Sequence, residues 1–213
     1  MKIGVFDSGK GGMTVLAAIK ERLPDMKYKY IADSKNCPYG EKTDSKLMRI
    51  VEKHVESLRD WGANIIVIAC NTATTRCIEK LRRKYPELLF VGTEPAIKLA
   101  AESGARKVLV MATPGTIASE RTMHLLKENQ GPGQKIDLLA CVGLADVIEA
   151  GKGVSEKLVE VLNGVDRDYE EVVLGCTHYS LIKPEILKHF PEARLIDGNE
   201  GVAKRVKELV EQG

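Results

Sequence analysis

Residues 65–72, IIVIACNT, and residues 171–178, EVVLGCTH, decide how this chain folds. Each is an apolar run of strand length that ends at a cysteine and passes into polar residues, Asn71-Thr72 in one case and Thr177-His178 in the other. An offset of 106 residues lays Cys70 on Cys176. Two further stretches match at the same offset. IGVFDSGKG (3–11) lies on LVMATPGTI (109–117), pairing Asp7 with Thr113 and Gly9 with Gly115. LFVGTE (89–94) lies on LIDGNE (195–200), and Lys98 falls on Lys204. Any two α/β units share strand patterns, so one match carries little. A common register spread along the chain points to a duplicated unit.

Outward from these two stretches, apolar runs alternate with segments of helical period. KIGVF, YKYIA, NIIVIA and LLFVG read as strands, with helices predicted over 12–23, 44–61, 72–84 and 94–103. The second half repeats the pattern with KVLVMA, KIDLLA, EVVLG and ARLID, and helices over 115–129, 153–163, 181–189 and 200–211. Unbroken apolar strands between helices indicate parallel sheets covered on both faces. The expected fold class is therefore α/β: two similar lobes with parallel sheets flanked by helices, pseudo-twofold related, with the active site in the interlobe cleft.

Composition narrows the function. Apolar residues make up 44% of the 213, enough for a buried core. Lys and Arg number 32 against 30 Asp and Glu, a net charge of +2, which disfavours a nucleic-acid binder. No apolar run approaches the roughly 20 residues of a membrane span, and MKIGVFDSGKGG reads as a strand and loop rather than a signal peptide. The five cysteines are an odd number with no CxxC and no Cys/His zinc spacing, so we expect no metal and a reducing, cytoplasmic setting. GKGG fits neither the Walker nor the dinucleotide pattern, so no such cofactor is expected.

Ligands of open parallel sheets sit beyond the carboxyl ends of the strands. Both cysteines occupy that position, and lobes facing each other across a twofold would bring the thiols to opposite sides of one cleft. Two-base exchange of a proton at a stereocentre needs this arrangement: one group removes the proton from one face, and the other returns a proton to the opposite face. Helix N-termini after each cysteine are expected to lower the thiol pKa. His178 can serve Cys176, and Asp7 can serve Cys70 or accept from a substrate ammonium. DSGKGG (7–12) and TPGT (113–116) are small-residue turns whose N–H groups can approach a carboxylate, with hydroxyls from Ser8, Thr72, Thr116 and Thr177. Cys37, Cys77 and Cys141 read as buried packing residues, and His54, His124 and His189 as surface or packing residues. By itself Glu149, after the apolar stretch CVGLADVI, reads as a solvated carboxylate.

The same residues resemble a known family. DSGKGGMTV (7–15), CPYGEKT (37–43), ACNTAT (69–74), TPGTIAS (113–119) and GCTHYSLI (175–182) are similar, in order, to the DSGVGGLTV, VPYGEKS, ACNTAS, GTxGTIxS and GCTHYPLL segments of glutamate racemases of the aspartate/glutamate racemase superfamily. The resemblance implies a cofactor-independent, metal-free racemase that interconverts L- and D-glutamate and supplies D-glutamate for peptidoglycan, as a cytoplasmic enzyme and a homodimer. It implies Cys70 and Cys176 as the acid/base pair, with Asp7 and His178 assisting. Ser8, Pro38, Tyr39, Gly40, Asn71, Thr72, Thr116 and Thr177 line the substrate site. Glu149, in IEAG, matches a glutamate that assists catalysis. The family's last segment crosses back to the first lobe, which implies lobes of 1–93 plus 195–213 and of 94–194. The chain is shorter than its usual members around 130 and 150–170, and Ser180 stands where they carry proline. Three other functions stay open from sequence: a racemase of aspartate, hydantoins or a related acid, a silent binding protein for an acidic amino acid, and a cysteine-dependent hydrolase. The last needs one nucleophile and an oxyanion hole rather than two mirrored thiols.

Overall fold

The structure, a computed structural model, describes residues 1–212. It contains two four-stranded sheets, each parallel throughout. The first is built from β1 (Lys2–Asp7), β2 (Lys27–Ala32), β3 (Ile65–Ile68) and β4 (Leu89–Gly92), in the order β2-β1-β3-β4. The second is built from β5 (Lys107–Ala112), β6 (Lys135–Ala140), β7 (Glu171–Gly175) and β8 (Arg194–Ile196), in the order β6-β5-β7-β8. The orders are the same, and the duplication legible in sequence accounts for that.

The strands β1, β3, β5 and β7 are covered on both faces, which is why they are apolar without alternation. In β3, Ile65 and Val67 join the layer made with α1 (Met13–Arg22), while Ile66 and Ile68 join the layer made with α2 (Asp44–Asp60) and α3 (Asn71–Lys84). α2 presents Leu47, Val51, Val55 and Leu58, all fully buried, as a single helical stripe. Thr43 caps it by accepting from the Lys46 N–H. The second sheet packs α4 (Ile97–Glu102) and α6 (Glu120–Asn129) on one face. On the other lie α7 (Leu144–Ala150), α8 (Val154–Val161) and α9 (Lys183–His189).

Three differences from the sequence expectation matter for the site. The helix expected over 115–129 is two, α5 (Pro114–Ile117) and α6, because the Ser119 hydroxyl accepts the Thr122 N–H and starts a new helix. The helix expected at 181–189 begins earlier, as a 3-10 helix over Thr177–Ile182. α7, which carries Glu149, was not expected at all. It is only 7 residues long and its burial pattern is hidden in an apolar stretch. β8 pairs with β7, and α10 (Asn199–Gln212) then packs against α1 and β4, burying Val202, Ala203 and Val206. β8 thus belongs to the second sheet, whereas α10 lies against α1 of the first.

Candidate active site

Strand register sets the cysteines. Phe6 pairs with Ile68 at the carboxyl end of the first sheet, and the chain runs on through Asp7 and Ser8 beside Ala69 and Cys70. Ala112 pairs with Gly175 in the second, so Thr113 and Cys176 leave the sheet together. Cys70 starts α3 and Cys176 starts the 3-10 helix. Both are buried, at 5% and 8% exposure, and both line one cavity between the lobes. Ser8, Pro38, Tyr39, Gly40, Asn71, Thr72, Thr113 and His178 complete much of its wall. The lobes are closed on each other, and the cavity has room for little more than one water.

A carboxylate of each lobe takes a hydrogen bond from the other lobe. Asp7 is fully buried; its Oδ1 accepts the Gly9 N–H at 3.0 Å and its Oδ2 accepts the Thr177 hydroxyl at 3.1 Å. Cys176 Sγ lies 3.8 Å from His178 Nδ1, and His178 Nε2 lies 2.8 Å from Glu149 Oε2. The Lys10 N–H donates to the same Glu149 oxygen at 2.9 Å, and the Ser34 hydroxyl donates to Oε1. Gly9 makes this possible: a Cβ there would lie 2.4 Å from Glu149 Oε2 and 2.8 Å from His178 Nε2. Opposite, the hydroxyls of Thr72, Thr113 and Thr116 form a triangle with 2.8 and 3.0 Å sides that joins α3 to the second lobe.

Electrostatics corrects one expectation. Burial pushes the Cys70 thiol up to about 12, and the neighbouring Asp7 adds to this. The N–H groups of Thr72 and Ala73 and the Ser8 hydroxyl do pull it down, as a helix N-terminus should, but they lose to desolvation. Cys176 is also raised well above the usual thiol range, by burial first and then by Cys70. The pair therefore resists carrying two charges at once. One thiolate opposite one thiol is the state the cavity favours on ionisation. Asp7 is raised because burial outweighs His178 and its hydrogen bonds. Glu149 is lowered, since the Lys10, Ser34 and His178 hydrogen bonds together exceed its desolvation.

Of the residues expected to line the substrate site, Ser8, Pro38, Tyr39, Gly40, Asn71 and Thr72 border the cavity. Thr116 does not: it is fully buried behind Thr72 and Thr113, and Thr113 takes its place at the wall. Thr177 sits behind the wall on Asp7. Asn71 Nδ2 is buried and finds no partner among the described residues. An unpaired buried donor costs on the order of 1–3 kcal/mol, which any hydrogen-bond acceptor placed against it would offset. No group of His, Cys, Asp or Glu among the described residues could hold a metal.

The model of the Asp/Glu/Hydantoin racemase family matches residues 13–206. The chain belongs to this family. Glutamate racemase from Clostridium acetobutylicum is 37% identical over 216 residues, 99% of this chain and 84% of the relative. That from Clostridium perfringens is 40% identical over 219 residues, 99% and 83%. The crystal structure of Escherichia coli glutamate racemase in complex with L-glutamate and the activator UDP-MurNAc-ala superposes with a TM-score of 0.90. It is 33% identical and covers 99% of this chain and 82% of that one. As a member of the racemase family, this chain is an isomerase.

Some residues around the racemase cavity had no sequence signal strong enough to find them. His54 was expected at the surface or in packing. It is only 18% exposed, with Nε2 3.0 Å from Asp33 Oδ2, the carboxylate oxygen that also accepts the Tyr39 hydroxyl at 2.7 Å. Arg76 donates to the Lys42 carbonyl at 2.7 Å and to Asp44 at 2.8 Å, pinning the 37–43 loop to α3. Neither they nor Ser34 falls in a duplicated or recognisable stretch. Only the tertiary fold brings them to the site. Ser180, where family members carry proline, donates to Asp197 at 3.0 Å.

Proposed function

We propose that this racemase interconverts L- and D-glutamate, with Cys70 and Cys176 exchanging the α-proton from opposite faces. The observation that carries it is that two thiols, each ending an equivalent strand of a duplicated lobe, line one cavity. One sulfur, as thiolate, takes the α-proton. The other, as thiol, gives its proton to the opposite face of the planar intermediate, and the roles reverse for the other enantiomer. Asp7 serves Cys70, and Glu149 serves Cys176 through His178. Asn71, with hydroxyls from Ser8 and Thr72, receives the substrate carboxylates. Glutamate as substrate is supported by relatives that match nearly the whole chain.

The same proposal assigns 1–93 with α10 to the Cys70 lobe and 94–196 to the Cys176 lobe. Among the described residues no helix is long and apolar enough to cross a membrane. All five cysteines are free, which fits a reducing compartment, so we place the enzyme in the cytoplasm. Its D-glutamate would enter peptidoglycan, and a homodimer is carried from the family resemblance alone.

Incubation of the protein with L-glutamate in deuterium oxide, without pyridoxal phosphate, should abolish optical rotation and replace the α-proton by deuterium. Glutamate left unchanged while aspartate racemises would contradict the substrate but not the chemistry. Neither acid reacting would contradict both.

A further inference from the structure

Glutamate cannot enter a cavity with room for little more than one water, so the lobes must part for substrate and product. Parting breaks a definite set of bonds. Glu149, on α7 of the second lobe, takes three hydrogen bonds from His178, the Lys10 N–H and the Ser34 hydroxyl. Only His178 belongs to its own lobe. Ser34 follows β2, and Lys10 lies in the turn after β1, both in the first lobe. Lys10 Nζ also reaches the Glu149 carbonyl at 3.0 Å.

We propose that Ser34, together with the Lys10 N–H, is a positioning residue that aims Glu149 at His178 only when the lobes close, so the Cys176 arm is assembled by closure. This rests on the two-cysteine reading of the site. With the lobes apart, Glu149 keeps a single partner, is free to swing into water, and His178 loses the anion that orients it. Closure that expels water thereby also completes the acid/base relay, and proton transfer from Cys176 does not begin in an open, wet cleft. The Cys70 arm has the mirror-image device, since Asp7 of the first lobe is held by Thr177 of the second. The charged and titratable groups that face Glu149 are His178, Lys10, Tyr30 and Cys37.

Ser34 is exposed, so alanine there leaves no buried hole. In Ser34→Ala, the Glu149 carboxyl carbon, assigned by its loss in Glu149→Gln, should titrate about one pH unit higher than in the unaltered protein. The acid limb of kcat should move up with it, because ionised Glu149 is then lost at higher pH. kcat at neutral pH should fall roughly 3- to 10-fold, by an unequal factor in the two directions. The enantiomers are equal in free energy, so kcat/KM stays equal in both directions and kcat alone reports the asymmetry. Ser34→Thr keeps the hydroxyl and should restore all three. A Glu149 titration unmoved in Ser34→Ala, or a lowered kcat with an unmoved acid limb, overturns the proposal. A Glu149 titration that moves while neither Cys70→Ala nor Cys176→Ala alters turnover overturns the two-cysteine reading instead, and reduces Ser34 to a fastener between lobes.

Discussion

Asp7 shows what the site costs the fold. Burial raises its pKa above the usual 3.8, so between that value and the raised one the folded chain binds more protons than the unfolded chain. Stability then falls as pH rises through the window. Asp7→Asn removes a buried charge while keeping the side-chain shape. It should raise Tm at pH 7 and lower kcat about tenfold or more; a lowered Tm with full activity would contradict both parts. Glu149 has the opposite sign: its pKa lies below the usual 4.5, and its contribution to stability is lost as pH falls through the lowered value. Asn71 makes a separate, simpler prediction. Its amide is unpaired at the cavity wall; if it binds substrate as we propose, Asn71→Ala should raise KM about tenfold, the equivalent of one hydrogen bond to a carboxylate, as read in steady-state kinetics. An unchanged KM would remove Asn71 from the binding site.

At the scale of elements, α10 is the piece that closes the first lobe. Val206 is fully buried on α10, which packs against α1 and β4, both far from it along the chain. Val206→Asp places a charge in that layer and should cost roughly 3 kcal/mol or more, seen as a large drop in Tm, because nothing there can pair with it. A drop of a degree or two would mean α10 is dispensable. The strands β1, β3, β5 and β7 were legible in the sequence because they are buried almost throughout and read as apolar runs, whereas β2, β6 and β8 are only partly buried. β5, β6 and β7 match the expected runs residue for residue. The cysteines and the CPYG, CNT and CTH segments were legible because they repeat or match a family. α7 was not, since two turns of helix in an apolar stretch have no period to read. Thr116 was named by its motif, and its hydroxyl lies 3.0 Å from that of Thr72 at the cavity wall. The thiol pKa direction was misjudged because the helix N-terminus is visible in sequence and the depth of burial is not.

For the whole molecule, duplication explains the fold and underlies the chemistry we propose. Two units of the same strand order face each other, and each contributes one sulfur to a closed cavity and a hydrogen bond to a carboxylate of the other. A reaction that must act on both faces of one carbon is served by a protein built twice. Racemisation of L-glutamate and of D-glutamate, followed by circular dichroism in the unaltered protein, Cys70→Ala and Cys176→Ala, tests this most directly. Both variants should remain folded and lose ~10³-fold or more in kcat in each direction, since a one-sided proton exchange cannot invert the centre. Full racemisation by either single variant would contradict the shared-cavity, two-thiol account.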